Sequence, residues 1–269
     1  MTNFICITCG VQFAATEEPP QQCSICQDER QYVNWKGQQW TTLEALQKDY
    51  HNVIKPVEPG LIGIGTNPGF AIGQRALLIQ TAQGNILWDC LSLIDPPTIA
   101  AVEALGGIAA IAISHPHLYG TMVEWSRAFD APIYLHADNQ ADVMWPDSAI
   151  TFWEGETYSL NAEVTLIRCG GHFSGSGVLH WRGGAQGQGV LLTGDTMMVV
   201  QDRRYVSFMY SYPNLLPLPA SAVRRIAAAV EPYPFERLYG GWWDKVVDSE
   251  AKAAVEASAE RYIRLITES

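Results

Sequence analysis

Two CxxC pairs, CITC at residues 6–9 and CSIC at residues 23–26, fix what the start of this chain can become. In each pair the two-residue spacer lets both sulfurs turn toward one ion, and a hairpin across the 13 intervening residues brings four thiolates into a tetrahedron. A segment of about 40 residues cannot fold on burial alone, so a metal cross-brace supplies the missing stability. Cys6, Cys9, Cys23 and Cys26 are therefore expected to hold a metal ion. The six cysteines make an even number, but their clustering argues against a disulfide framework. Cys90 and Cys169 stand alone in apolar surroundings, and Cys169 reads as a buried, inert thiol.

With 269 residues, 48% of them hydrophobic, the chain can bury one large core and still spare a small appendage. Its 17 basic against 28 acidic residues give a formal charge of −11, which repels phosphate backbones and anionic membrane surfaces. Nucleic-acid and membrane partners are thus disfavoured, and a small-molecule substrate is expected. No apolar stretch of about 20 residues exists, and MTNFICITCG does not read as a targeting segment. The expected location is cytoplasmic.

Three regions follow: a cysteine domain over 1–40, a connector over 41–59 and a main domain over 60–269. In the connector, TTLEALQKDY reads as a short helix opened by Thr41 or Thr42 and broken by KPVEPG. Beyond it, GLIGIG, QRALLIQT and NILWDC are β-type runs, with AQGN a tight turn between the last two. Asp95 caps a helix whose first turn takes the prolines of DPPT and which ends at Gly106 and Gly107. The buried strand IAAIAI follows. Further on, VEWSRAF reads as helix, and PIYLH, AEVTLIRC, SGVLHW and GVLLTG as strands. PASAVRRIAAAV and the stretch from Ser249 to Ile266 complete the pattern as helices. In the last of these, Val255, Ala259, Tyr262, Ile263 and Ile266 share one face that suits docking on a sheet. Strands in the middle with helices interspersed suggest sheet packed on sheet with helices outside, an α+β arrangement.

A lone histidine near a strand end is weak evidence for a ligand. The ordered set is stronger: His115 and His117 in SHPHLYG, His172 in RCGGHFSGSG and Asp195 in LLTGDTMM each follow directly on an expected strand, where loops can converge. Three imidazoles and a carboxylate suit a borderline cation such as zinc and leave room for water.

Over most of residues 60–245 these elements resemble the metallo-β-lactamase superfamily. SHPHLYG is similar to the first half of its HxHxDH motif, GGHFSGS to its next histidine motif, TGDT to its strand-end aspartate, and ILWDC to the apolar strand ending in aspartate that precedes the first helix. The resemblance implies a four-layer αβ/βα sandwich, here preceded by a segment that resembles a zinc ribbon, with rubredoxin a near neighbour. It also exposes departures. Tyr119 stands at the motif's aspartate and Gly120 at its final histidine, while GGWWDK offers Gly241, Trp242 and Trp243 where the last histidine is expected. By the resemblance those three groups hold the second ion, so SHPHLYG keeps the donors for one ion and lacks those for the other.

The expected cofactors are zinc at the four cysteines, with iron as the alternative, and one zinc or iron ion at His115, His117, His172 and Asp195. The expected reaction is hydrolysis of an ester, thioester or amide, with Asp195 as ligand or proton acceptor and Tyr119 as a candidate hydrogen-bond donor to an oxyanion. Trp242 and Trp243 are candidate apolar walls for a substrate. SFMYSYPNLLPLP reads as a lid or wall, making Tyr210 and Tyr212 weaker substrate contacts. Two other classes fit the same residues: a non-haem iron oxidoreductase, and a non-catalytic sensor or scaffold that keeps a metal for stability. His136 is a candidate unconventional ligand; His51 and His180 read as structural.

Overall fold

The computed structural model describes residues 1–268. It divides into one unit of Met1–Leu135 with Gln140–Phe152 and another of His136–Asn139 with Trp153 onward. No helix among the described residues is long and apolar enough to cross a membrane.

The first unit is built on a seven-stranded sheet of β1 (His51–Glu58), β2 (Leu61–Asn67), β3 (Arg75–Ile79), β4 (Ile86–Trp88), β5 (Ala110–Ala112), β6 (Ile133–His136) and β7 (Ile150–Trp153), in that spatial order. β1 to β4 form an antiparallel meander, while β5 runs parallel to β4 and β6 parallel to β5. β3 and β4 are fully buried, which is why they read as unbroken apolar runs rather than as alternation. The crossover from β4 to β5 is helix α2 (Pro96–Ala104), preceded in the chain by α1 (Leu43–Asp49). The Asp95 side chain accepts from Thr98 N at 2.8 Å and caps α2, as its sequence implies. Thr42, rather than Thr41, caps α1 by accepting from Ala45 N at 3.2 Å. Helix α3 (Met122–Phe129) connects β5 to β6. The histidine turn thus lies between the end of β5 and the start of α3, where successive parallel strands open their loops.

The segment expected as a connector is in part sheet. His51–Glu58 forms β1 and pairs with β2 from His51↔Asn67 to Glu58↔Leu61. Pro56 lies within it, which a sheet tolerates at an edge. His51 is exposed, its Nε2 lying 3.3 Å from Asn67 Nδ2.

The second unit holds a six-stranded sheet of β8 (Thr157–Ser159), β9 (Val164–Arg168), β10 (Gly177–Trp181), β11 (Val190–Leu192), β12 (Arg237–Tyr239) and β13 (Val246–Val247). Neighbours are antiparallel except β11 and β12, which are joined through α4 (Ala220–Val230) and run parallel. Helix α5 (Ala251–Thr267) adds Ala251, Val255 and Ala259 to a core with Ile226 and Leu238, and Tyr262 and Ile263 pack at its margin. Ile266 departs from the expected face: it is 41% exposed, because the last turn of α5 runs beyond that core. SFMYSYPNLLPLP enters two short ribbons: its Ser207 belongs to Val206–Ser207, which pairs with Met198–Val199, and its Met209–Ser211 pairs with Leu216–Pro217. His180 on β10 donates from Nε2 to Pro234 O at 2.7 Å, and burial lowers its pKa.

Candidate metal centres

The four cysteine sulfurs lie within 4.8 Å of one another. Cys6 Sγ is 3.6 Å from Cys26 Sγ, and Cys9 Sγ is 3.7 Å from Cys23 Sγ. A disulfide would need about 2.05 Å, and all four thiols are free. Sulfurs each about 2.3 Å from a central ion stand about 3.8 Å apart in a tetrahedron, so the spacing fits a four-coordinate metal. Local geometry aims them: Gly10, at φ +82°, donates to Cys6 O at 2.8 Å, and Cys6 N donates to Val11 O at 3.0 Å. Gln38 Nε2 points at Cys6 Sγ from 3.3 Å, a contact that favours a thiolate. Hydrogen bonding, first from Cys23, pulls the Cys6 thiol far below its ordinary range, while burial pushes Cys9 well above it. A cation would allow all four to ionise together.

His115 and His117 sit on the turn after β5, 0% and 2% exposed, with ring centroids 5.2 Å apart at 77°. The tautomer of His115 follows from its neighbours. Ser114 Oγ donates its one proton to Asp89 Oδ1 at 2.8 Å, so toward His115 Nδ1 at 2.9 Å it accepts. Nδ1 therefore carries the proton and Nε2 keeps the lone pair a metal needs. Asp89, which ends ILWDC, also accepts from Ser114 N at 2.8 Å. Asp89 thus orients His115 through Ser114.

In the second unit, His172 lies in the hairpin between β9 and β10. Gly170 and Gly171, at φ +64° and +91°, let it turn sharply, and Gly170 N donates to Ser176 O at 2.8 Å. The His172 Nδ1–H donates to Tyr210 O at 2.8 Å, leaving Nε2 as the lone-pair side. That atom lies 3.7 Å from Asp195 Oδ2. This is too long for a hydrogen bond, but it is close to the span of about 3.4 Å that two donors about 2.1 Å from a shared tetrahedral cation would adopt. Asp195 follows β11 and is held from behind, its carbonyl accepting from Tyr212 Oη at 3.0 Å.

The other candidates are placed as follows. His136 is not free to act as a ligand: its Nε2 donates to Gly155 O at 3.0 Å, its Nδ1 accepts from Asp138 N at 3.1 Å, and its ring abuts Trp153. Tyr210 contributes a backbone carbonyl to His172, and Tyr212 places its hydroxyl between Asp195 O and Ser207 O. These two tyrosines brace the histidine and the aspartate, a role sequence reasoning missed because backbone carbonyls leave no residue-type signal. Tyr119 is 1% exposed, and burial raises its pKa well above the usual phenol range. Its ring lines a small cleft with Val11, Gln12, Met144 and Trp145, beside the cysteine knuckle. Trp242 and Trp243 are half-buried in the loop between β12 and β13. Burial raises the thiol pKa of Cys90, and that of Cys169 to about 12, so both are inert.

One consequence is measurable. In Tyr212→Phe, the one hydroxyl proton shared by the Asp195 and Ser207 carbonyls is lost, which lowers stability by about 1 kcal/mol. Thermal unfolding checks the loss; a melting temperature equal to that of the native protein would show that Tyr212 braces nothing.

No family model matches the chain. It is 52% identical over 268 residues to "Uncharacterized protein YmaE" of Bacillus subtilis (strain 168), a match covering 99% of this chain and 97% of that protein. Among solved structures it is similar to DIM-1 metallo-β-lactamase, with a TM-score of 0.59 and 14% identity over 78% of this chain and 98% of that one. It is similar also to the first B3 metallo-β-lactamase with an active-site glutamic acid, with a TM-score of 0.54 and 17% identity over 85% and 94%. These likenesses show the fold, an α+β metallo-β-lactamase fold carrying a four-cysteine cluster near its N-terminus. At half-identity over nearly its whole length, the chain belongs to the family of Bacillus subtilis YmaE.

Proposed function

We propose that His115, His117, His172 and Asp195 together hold one metal ion, and that the protein is a mononuclear metal-dependent hydrolase of a small ester, thioester or amide. What carries this reading is the anchoring of Nδ1 in His115 and His172, through Ser114 and Asp89 in one and the Tyr210 carbonyl in the other. Such anchoring fixes tautomer and ring orientation, as metal-ligating imidazoles require. When bound, zinc or a similar ion supplies Lewis acidity, acidifying water and polarising a carbonyl. Asp195, facing His172 Nε2, supplies the anionic donor. Trp242 and Trp243 offer apolar area to a substrate. We read the knuckle's ion as zinc too, held for structure.

Position 120, together with Tyr119 and the Gly241–Trp243 stretch, supports a single ion rather than two. A side chain at position 120 would place its Cβ 2.3 Å from Leu91 O, so no donor can stand where the resemblance puts a histidine.

Elemental analysis of protein purified without added metal should find about two ions per chain, and His115→Ala should retain only the knuckle's. Losing the Lewis acid removes several kcal/mol of transition-state stabilisation, so hydrolysis of a responsive ester or thioester should fall about a thousandfold or more. A His115→Ala protein that keeps both ions and its turnover would refute the reading. Iron at the histidines with oxygen-dependent turnover would replace hydrolysis by oxidation.

A further inference from the structure

We propose that the cysteine knuckle is a positioning clamp for the histidine turn, so that filling the four-cysteine site raises the metal affinity of His115 and His117. This rests on the reading that these histidines are metal ligands. The loop carrying Cys6 and Cys9 is bonded to the turn and to the segment beneath it. Ser92 Oγ donates to Gly10 O at 2.8 Å, and Gln12 N donates to Gly120 O at 3.0 Å. The Gln12 side chain also reaches Glu124 Oε1 on α3, at 3.4 Å.

The histidine turn is itself tied to the residues that receive the knuckle. Thr121 N donates to Leu91 O at 2.9 Å, and Cys90 N donates to Leu118 O at 3.0 Å. The three segments meet here in close contact. A Cβ on Gly10 would lie 2.3 Å from Ser92 Oγ, and one on Gly120 equally close to Leu91 O. From Cys9 the constraint passes through Gly10 and Ser92 to Leu91, then to Gly120 and back to His117.

The positions where donors for a second ion are missing are also the ones that meet the knuckle. Gly120 accepts from Gln12, and Tyr119 lines the cleft that Val11 and Gln12 help to form. Cys6 and Cys9 on loop 6–12 stand 3.6 and 3.7 Å from Cys26 and Cys23, so the loop's conformation depends on the ion its cysteines take. Anything that orders this loop restricts the turn, and the coupling is reciprocal.

Cobalt(II) titration of metal-free, reduced protein tests the clamp, because thiolate-to-cobalt charge transfer reports the knuckle separately from the ligand-field bands of a histidine site. In the native chain the thiolate band should saturate first. Amide hydrogen exchange over residues 114–121 should slow in step with it, before the second set of bands appears. In Ser92→Ala the thiolate band should reach full amplitude while cobalt binds the histidine site about tenfold more weakly, with faster exchange over the same residues. Unchanged affinity and exchange in Ser92→Ala would overturn the clamp. So would exchange in the native chain that ignores knuckle filling, a readout that stands even if the variant does not fold. A native chain with a full thiolate band and no second set of bands would instead remove the histidines as ligands, leaving the exchange data to decide the mechanical link alone.

Discussion

A histidine written at position 120 destabilises the protein by about 3 kcal/mol or more and adds no metal site. Gly120 sits at φ +49°, a left-handed conformation that costs a residue with a side chain about 1–2 kcal/mol. The greater cost is steric. The new Cβ would stand 2.3 Å from Leu91 O and 2.5 Å from Leu91 C, backbone atoms that cannot rotate away. That backbone is held on several sides: Thr121 N donates to Leu91 O, Gln74 Nε2 donates to Cys90 O at 3.1 Å, and Ser92 is bonded to the knuckle. For a chain of this size the loss corresponds to a melting temperature lower by roughly 10 °C. The double variant Tyr119→Asp, Gly120→His restores the letters of the HxHxDH motif and should melt as low, with no extra ion by elemental analysis. A soluble double variant that melts like the native protein and binds one more ion per chain would contradict the geometry.

Stripping the metal from the cysteines should destabilise much more than the knuckle while leaving the sheet folded at room temperature. Cys6, Cys9, Cys23 and Cys26 are 0–1% exposed and belong to the same core as Ile64, Leu87, Ile111 and Ile133 of the seven-stranded sheet. Metal binding in small zinc domains contributes on the order of 10 kcal/mol, comparable with the whole stability of a typical domain, about 5–15 kcal/mol. With a strong chelator under reducing conditions, the sheet's transition should shift down by about 15 °C or more, read by circular dichroism while thiol titration confirms release. Four reactive thiols with an unshifted transition would show the knuckle to be an independent appendage.

Much of this was legible in the sequence where the signal is local. A CxxC spacer places two sulfurs on one ion in almost any context. A cap such as Asp95 with prolines behind it fixes a helix start within a few residues of chain. Buried parallel strands such as β5 appear as apolar runs because both their faces are covered. Elsewhere the signal is weak for identifiable reasons. β1 is an edge strand with mixed burial and an internal proline, so it shows no clean period and reads as a connector. The ribbons between Met198 and Pro217 are two or three residues per strand, too short to carry any period.

The sequence by itself determined the candidate donors and their order: four cysteines in paired spacing, His115, His117, His172 and Asp195 each behind a strand, and no histidine or carboxylate at 119 and 120. Only the tertiary structure decided which nitrogen of His115 and His172 is tied back, that both nitrogens of His136 are already in use, and that Leu91 O fills the space beside Gly120. The physical reason is that the type of donor resides in a side chain. Its aim depends on carbonyls, amides and excluded volume brought from distant parts of the chain, and these carry no residue-specific mark.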